Sequence, residues 1–122
     1  MFEVKIKSDF SAAHRLKDYN GECENFHGHN WKVQLTIARE KLDVDGMVID
    51  FKILIDHLEN FLKNLDHKCL NDLEYFEKLN PTSEHVAFVI YNNLSPIIDT
   101  PKIKLSKVEV WESDNSSACF IP

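Results

Sequence analysis

His27 and His29 stand two residues apart with Gly28 between them. On an extended backbone, side chains at i and i+2 leave the same face of a strand. Two imidazoles on one face, joined by a residue that lets the chain come close, are half of a metal site. His14 ends an apolar stretch upstream and supplies a third ligand if its strand pairs with the one carrying His27. Three neutral imidazoles around Zn²⁺ leave one position open, which is the arrangement of a catalytic zinc. Cys23, four residues before His27, has two readings. As a fourth ligand it closes a Cys-His₃ structural site. As a thiolate beside a dication that lowers its pKa, it is a reactive base.

Other residues could carry proton chemistry. In Leu65-Asp66-His67, the carboxylate can accept from one ring nitrogen and fix the tautomer, leaving the other nitrogen for proton transfer. The plainer reading is a dipole partner at a helix C-terminus. Glu112 shares a strand face with Val108 and Val110. A carboxylate on the core side needs partners, and adjacent ring N–H donors of a heterocycle satisfy one in bidentate fashion. Taken alone, Glu112 reads as a strand-end residue in water. His57 has no assigned role, His85 reads as structural, and Cys69 and Cys119 read as small hydrophobes in apolar surroundings.

The elements that must position these groups follow from periodicity. Phe2, Val4, Ile6, Phe10 and Ala12 alternate with charged or small residues over 2–13, a half-buried strand with an irregularity expected near Ser8. Residues 14–28 read as a loop. Trp31, Val33, Leu35 and Ile37 mark a second strand. Asp50 is a good N-cap for a helix over 51–65, where Ile53, Leu54, Leu58, Phe61, Leu62 and Leu65 fall at helical spacing. Asn80-Pro81-Thr82-Ser83-Glu84 starts a second helix, which Pro96 should stop. Ile103 and Leu105 open a third strand whose phase shifts to Val108 and Val110, implying a bulge near Ser106. Ser117 to Ile121 closes the chain as a short strand. The expectation is a single domain over 1–122 with an α+β fold: a four-stranded antiparallel sheet with two helices on one face. Its two open edges invite a homo-oligomer joined edge to edge.

Composition narrows the partners. The net charge is −6 and there is no basic stripe, which argues against nucleic acid. The opening residues lack the apolar core of a signal peptide, and no run approaches a membrane span. An odd count of three widely spaced cysteines argues against a disulfide framework and for a reducing cytoplasm.

The whole constellation resembles the 6-pyruvoyl-tetrahydropterin synthase and 6-carboxy-tetrahydropterin synthase family. The matching segments are Phe10 to His14, Cys23-x₃-His27-Gly28-His29-Asn30, Ile49-Asp50-Phe51, Leu65-Asp66-His67, Asn80 to Glu84, and Val108 to Ser113. They occur in the family's order and span nearly the whole chain. The resemblance implies a tunnelling fold, in which three subunits close a barrel of strands and two trimers stack into a homohexamer with active sites between subunits. It implies that His14, His27 and His29 bind zinc, that Cys23 is the general base, and that Asp66 and His67 of a neighbouring subunit assist proton transfer. Glu112 would grip the pterin's N–H groups, with Thr82 and Ser83 framing the pocket. The implied substrate is the small molecule 7,8-dihydroneopterin triphosphate. The short Cys-x₃-His-Gly-His spacing resembles the queuosine-pathway lyase, which releases 6-carboxy-tetrahydropterin, acetaldehyde and triphosphate, more than the 6-pyruvoyl-forming synthase of the biopterin pathway. Glu24 sits where some relatives place a glutamate and cleave the substrate towards folate, but Cys23 is present beside it. A non-catalytic zinc-stabilised module leaves Asp66, His67 and Glu112 without a role.

Overall fold

A computed structural model describes residues 1–16 and 25–122. Strands β1 (Phe2–His14) and β2 (His27–Arg39) form one long antiparallel ladder. Helix α1 (Phe51–Leu62) follows, then a two-residue strand β3 (Lys68–Cys69), helix α2 (Ser83–Ile98), and strands β4 (Lys104–Ser113) and β5 (Ser116–Phe120). The sheet order is β3-β1-β2-β4-β5. One face of the sheet is apolar. Ile6, Phe10 and Ala12 of β1, Trp31, Val33, Leu35 and Ile37 of β2, and Val108 and Val110 of β4 are all buried. Leu54, Leu58 and Leu62 of α1 and Val86, Ile90 and Leu94 of α2 join the same core.

Local chemistry sets the helix starts as the sequence implies. The Asp50 carboxylate accepts from the Lys52 amide at 2.9 Å, and the Thr82 hydroxyl accepts from the His85 amide at 3.1 Å. Each satisfies a donor that the first helical turn leaves orphaned.

Four expectations are corrected. The sheet has five strands, not four: β3 pairs parallel to β1 at Ala12 and Ala13, and two residues are too few to leave a periodic signal. β1 runs unbroken through Ser8, which pairs with Val33, so a polar residue at an inward position is not an irregularity. α1 ends at Leu62 rather than Leu65. Leu65 is buried all the same, within a tightened turn whose Leu65 and Asp66 amides both bond back to the Leu62 carbonyl. Pro96 lies inside α2. So near the end of the helix, a missing N–H costs a single backbone bond, and α2 continues to Ile98.

The bulge near Ser106 is present: the β2–β4 register passes from Lys107 to Leu105 across Thr36 and Ile37. Cys119 is exposed rather than packed among hydrophobes, and burial of the sulfur followed by the Glu109 charge raises its pKa.

Candidate metal centre

The β1–β2 register assembles the histidines. His14 pairs directly with His27, and His29 pairs with Ala12, so all three side chains leave the core-facing side at one end of the ladder. Ala12 leaves room for the imidazole opposite it. Ring centroids of the three pairs lie 4.7 to 5.2 Å apart. Trp31 forms the floor of the site. It is fully buried, stacks on Phe10, meets the His14 and His29 rings edge to face, and donates Nε1–H to the Ala12 carbonyl at 3.2 Å.

The tautomers are set by backbone. His14 Nδ1 is 2.7 Å from the Pro81 carbonyl, and His27 Nδ1 is 3.0 Å from the Asn25 carbonyl. A carbonyl only accepts, so Nδ1 carries a proton in both rings, and in the neutral tautomer this leaves the Nε2 lone pair for a metal. Metal-binding histidines are oriented in this way. His29 has a pKa below the ordinary 6.5: burial disfavours the charged ring, Glu112 opposes that, and His14 and His27 reinforce it.

Glu112 enters from β4. Its Oε1 lies 2.9 Å from His29 Nε2, 3.5 Å from His14 Nε2 and 3.8 Å from His27 Nε2. Short as these distances are, His14 Nε2 and His29 Nε2 remain buried without a hydrogen-bond partner; the carboxylate is near them but out of line for such a bond. Four electron-rich atoms, all within 4.8 Å of one another, therefore converge on a common point. A buried polar atom without a partner costs about 1–3 kcal/mol, and a cation at the point of convergence removes that cost for both His14 Nε2 and His29 Nε2. The donor set of imidazoles and one carboxylate fits a zinc-type ion.

The flanks of the centre are tied down. The Arg15 amide donates to Asn71 Oδ1 at 2.9 Å, and Asn71 Nδ2 donates to the Arg15 carbonyl at 3.0 Å. The Arg15 guanidinium lies 4.7 Å over the Phe26 ring. Ser83 Oγ donates to Glu112 Oε2 at 3.4 Å, while Thr82 spends its hydroxyl on the α2 cap. Cys23 and Glu24 fall outside the described residues.

Asp66 and His67 form a pair of their own. Asp66 Oδ1 is 3.0 Å from His67 Nδ1 and accepts from the Ser11 amide at 2.8 Å. That backbone donor, then the His67 ring, holds the carboxyl below its ordinary pKa. His67 has φ +57°, a left-handed conformation that costs a side-chain-bearing residue about 1–2 kcal/mol. Its own amide, donating to the Ser11 carbonyl at 2.6 Å, pins it there. The imidazole is 81% exposed. Among the described residues, no hydrogen bond or ion pair joins Asp66 or His67 to the three histidines. His85 is structural, with Nδ1 bonded to the Asn80 carbonyl at 2.6 Å.

The Asn71 clamp and the Pro81 and Asn25 carbonyls were invisible in the sequence, since a backbone oxygen has no residue-type signature. The tryptophan two residues after His29 was the one available hint, because it continues the same inward face.

Comparison with known proteins places this geometry. The model of the 6-pyruvoyl tetrahydropterin synthase family matches residues 3–121. The chain belongs to that family. It is 38% identical to the 6-carboxy-5,6,7,8-tetrahydropterin synthase of Synechocystis sp., over 98% of this chain and 93% of the relative. It is 37% identical to the human 6-pyruvoyl tetrahydrobiopterin synthase, over 97% and 90%. The solved Caenorhabditis elegans 6-pyruvoyl tetrahydropterin synthase superposes with a TM-score of 0.86 at 29% identity, over 99% of this chain and 95% of that one. Family membership makes the chain a tetrahydropterin synthase. The two kinds of relative stand at nearly equal identity, so identity alone does not choose between their products.

Proposed function

We propose that this protein is a zinc-dependent carbon–carbon lyase that converts 7,8-dihydroneopterin triphosphate and one water into 6-carboxy-5,6,7,8-tetrahydropterin, acetaldehyde and triphosphate, a step of queuosine biosynthesis. The observation that carries the metal part is the convergence of three imidazole nitrogens, two of them buried and unpartnered. The product assignment rests on the short Cys23-x₃-His27 spacing.

His14, His27 and His29 would hold the zinc, which when bound would supply Lewis acidity toward the substrate's side-chain hydroxyls and the neighbouring C–H. Cys23 removes the proton from the side-chain carbon. Asp66 orients His67, whose free Nε2 exchanges protons with the substrate. Trp31 walls the centre off from the core and holds two of the rings in place. Glu112 accepts from the pterin N–H groups, and Ser83 and Thr82 shape the pocket at the start of α2.

In one chain the Asp66–His67 pair is exposed and unconnected to the histidines, which supports a site completed by a neighbouring subunit. Among the described residues, β1 pairs with no other strand on its outer side beyond Ala12 and Ala13, and β5 forms the other edge. Edge-to-edge pairing of these strands into a homohexamer brings the Asp66–His67 pair of one chain to the metal of another. The catalytic assignment is tested with Cys23→Ala. The variant is expected to bind zinc as the parent does and to lose turnover; retained turnover removes Cys23 from the role of base. Mixing inactive Cys23→Ala and His67→Ala proteins after reversible dissociation is expected to restore part of the activity. No recovery in assembled mixed oligomers contradicts a shared site.

A further inference from the structure

The sequence leads to a metal with three protein ligands and an open fourth position. The geometry fills that position from within the chain. Four donors around a tetrahedral metal with bonds of about 2.0–2.1 Å stand about 3.3–3.4 Å apart. Glu112 Oε1 lies 2.9, 3.5 and 3.8 Å from the three Nε2 atoms, a spread that brackets this edge length. Its second oxygen is engaged separately by Ser83 Oγ, on the first residue of α2, where the helix terminus favours a negative charge. The carboxylate is thus held with one oxygen on the helix start and the other among the imidazole nitrogens.

Electrostatics agree with this placement. The His14 and His27 rings, protonated at Nδ1 toward backbone carbonyls, turn Nε2 lone pairs toward the carboxylate in their neutral form, and the contacts of His14 and His29 Nε2 with it are out of line for hydrogen bonds. Without a cation the arrangement sets lone pair against lone pair. The β4–β5 register skips between Trp111 and Ser113, so Glu112 sits at an irregularity of the kind that re-aims side chains beside functional sites.

We propose that Glu112 is the fourth ligand of the metal in the substrate-free protein, with Ser83 as its positioning residue, and that it leaves the metal when substrate oxygens arrive. This rests on the reading that the three histidines hold a metal, and it deepens that reading. The metal is protected from stray ligands at rest, and the released carboxylate becomes available to the N–H groups of the incoming heterocycle.

Co²⁺ is the probe. Metal-free parent, Glu112→Gln, Ser83→Ala and Cys23→Ala proteins are titrated with Co²⁺ against a competing chelator, and their visible spectra are recorded. The parent is expected to give intense four-coordinate d–d bands without a sulfur charge-transfer band. Glu112→Gln is expected to bind Co²⁺ at least about tenfold more weakly, the scale on which even outer-shell changes act, with weaker and shifted bands. Ser83→Ala, which keeps the ligand, is expected to lie between them and guards against a misfolded Gln variant. An unchanged affinity and spectrum in Glu112→Gln overturns the proposal. So does a sulfur charge-transfer band in the parent that disappears in Cys23→Ala, since Cys23 is then the fourth ligand. Adding 7,8-dihydroneopterin to the Co²⁺ parent is expected to shift its bands; a spectrum unmoved at saturation overturns the displacement. Turnover of the triphosphate by the zinc parent judges the functional reading separately. Turnover with an indifferent Glu112→Gln spectrum defeats this inference alone, whereas the expected spectra without turnover uphold it and defeat the lyase.

Discussion

His67 is held at φ +57° although it carries a side chain, and this makes a sharp stability test. At an ordinary position, glycine is less stabilising than alanine by about 0.5–1 kcal/mol, because it has more backbone freedom to lose. In the left-handed region alanine bears a steric cost of about 1–2 kcal/mol that glycine escapes. The difference leaves His67→Gly more stable than His67→Ala by about 1 kcal/mol. Both variants lose the ring's contact with Asp66, which solvent screens at 81% exposure of the ring. It cancels between them. For a chain of 122 residues, the gap corresponds to a melting difference of roughly 3–6 °C. Urea unfolding of the two metal-free variants, with matched m-values, is the assay. An alanine variant as stable as the glycine variant refutes the claim that His67 is strained. Both variants are expected to lose turnover, which fits strain retained for the sake of the imidazole.

Three further outcomes follow from the same contacts. Asp66 has a lowered folded-state pKa, so its contribution to stability is present above the unfolded value of 3.8 and is lost as pH falls below it. Asp66→Asn is expected to lose stability less steeply than the parent below pH 3.8 in urea midpoints taken against pH; identical slopes refute the assignment. Trp31→Phe removes the bond to the Ala12 carbonyl and is expected to cost about 1–3 kcal/mol in chemical denaturation; a change under 0.5 kcal/mol contradicts the role of that hydrogen bond. Free zinc at a hundred times its Kd is expected to stabilise the metal-free protein by about 2.7 kcal/mol, an increment that His29→Ala reduces sharply; an equal increment in the variant excludes His29 as a ligand.

The centre was legible because it is written in strand periodicity. His14, His27 and His29 declared themselves by spacing, and antiparallel pairing did the rest. The shared face of Val108, Val110 and Glu112, and the bulge at Ser106, could be read the same way. What stayed hidden depends on long-range geometry. The proximity of Glu112 to the imidazoles requires the registers of three strands and one side-chain direction, none of which is local. The Pro81 and Asn25 carbonyls that fix the tautomers are main chain. β3 exists because the turn after α1 delivers the His67 amide to Ser11, and two residues cannot announce a strand. The end of α1 was overrun because Leu65 keeps helical phase while packing in a turn.

The central claim is that the histidine centre serves cleavage of a pterin side chain. Zinc-loaded protein is incubated with 7,8-dihydroneopterin triphosphate, and the products are identified by mass, with His29→Ala as the control. The account predicts 6-carboxy-tetrahydropterin, acetaldehyde and triphosphate from the parent and none from the control. A 6-pyruvoyl product contradicts the lyase assignment, and equal turnover by the control contradicts the role of the metal centre.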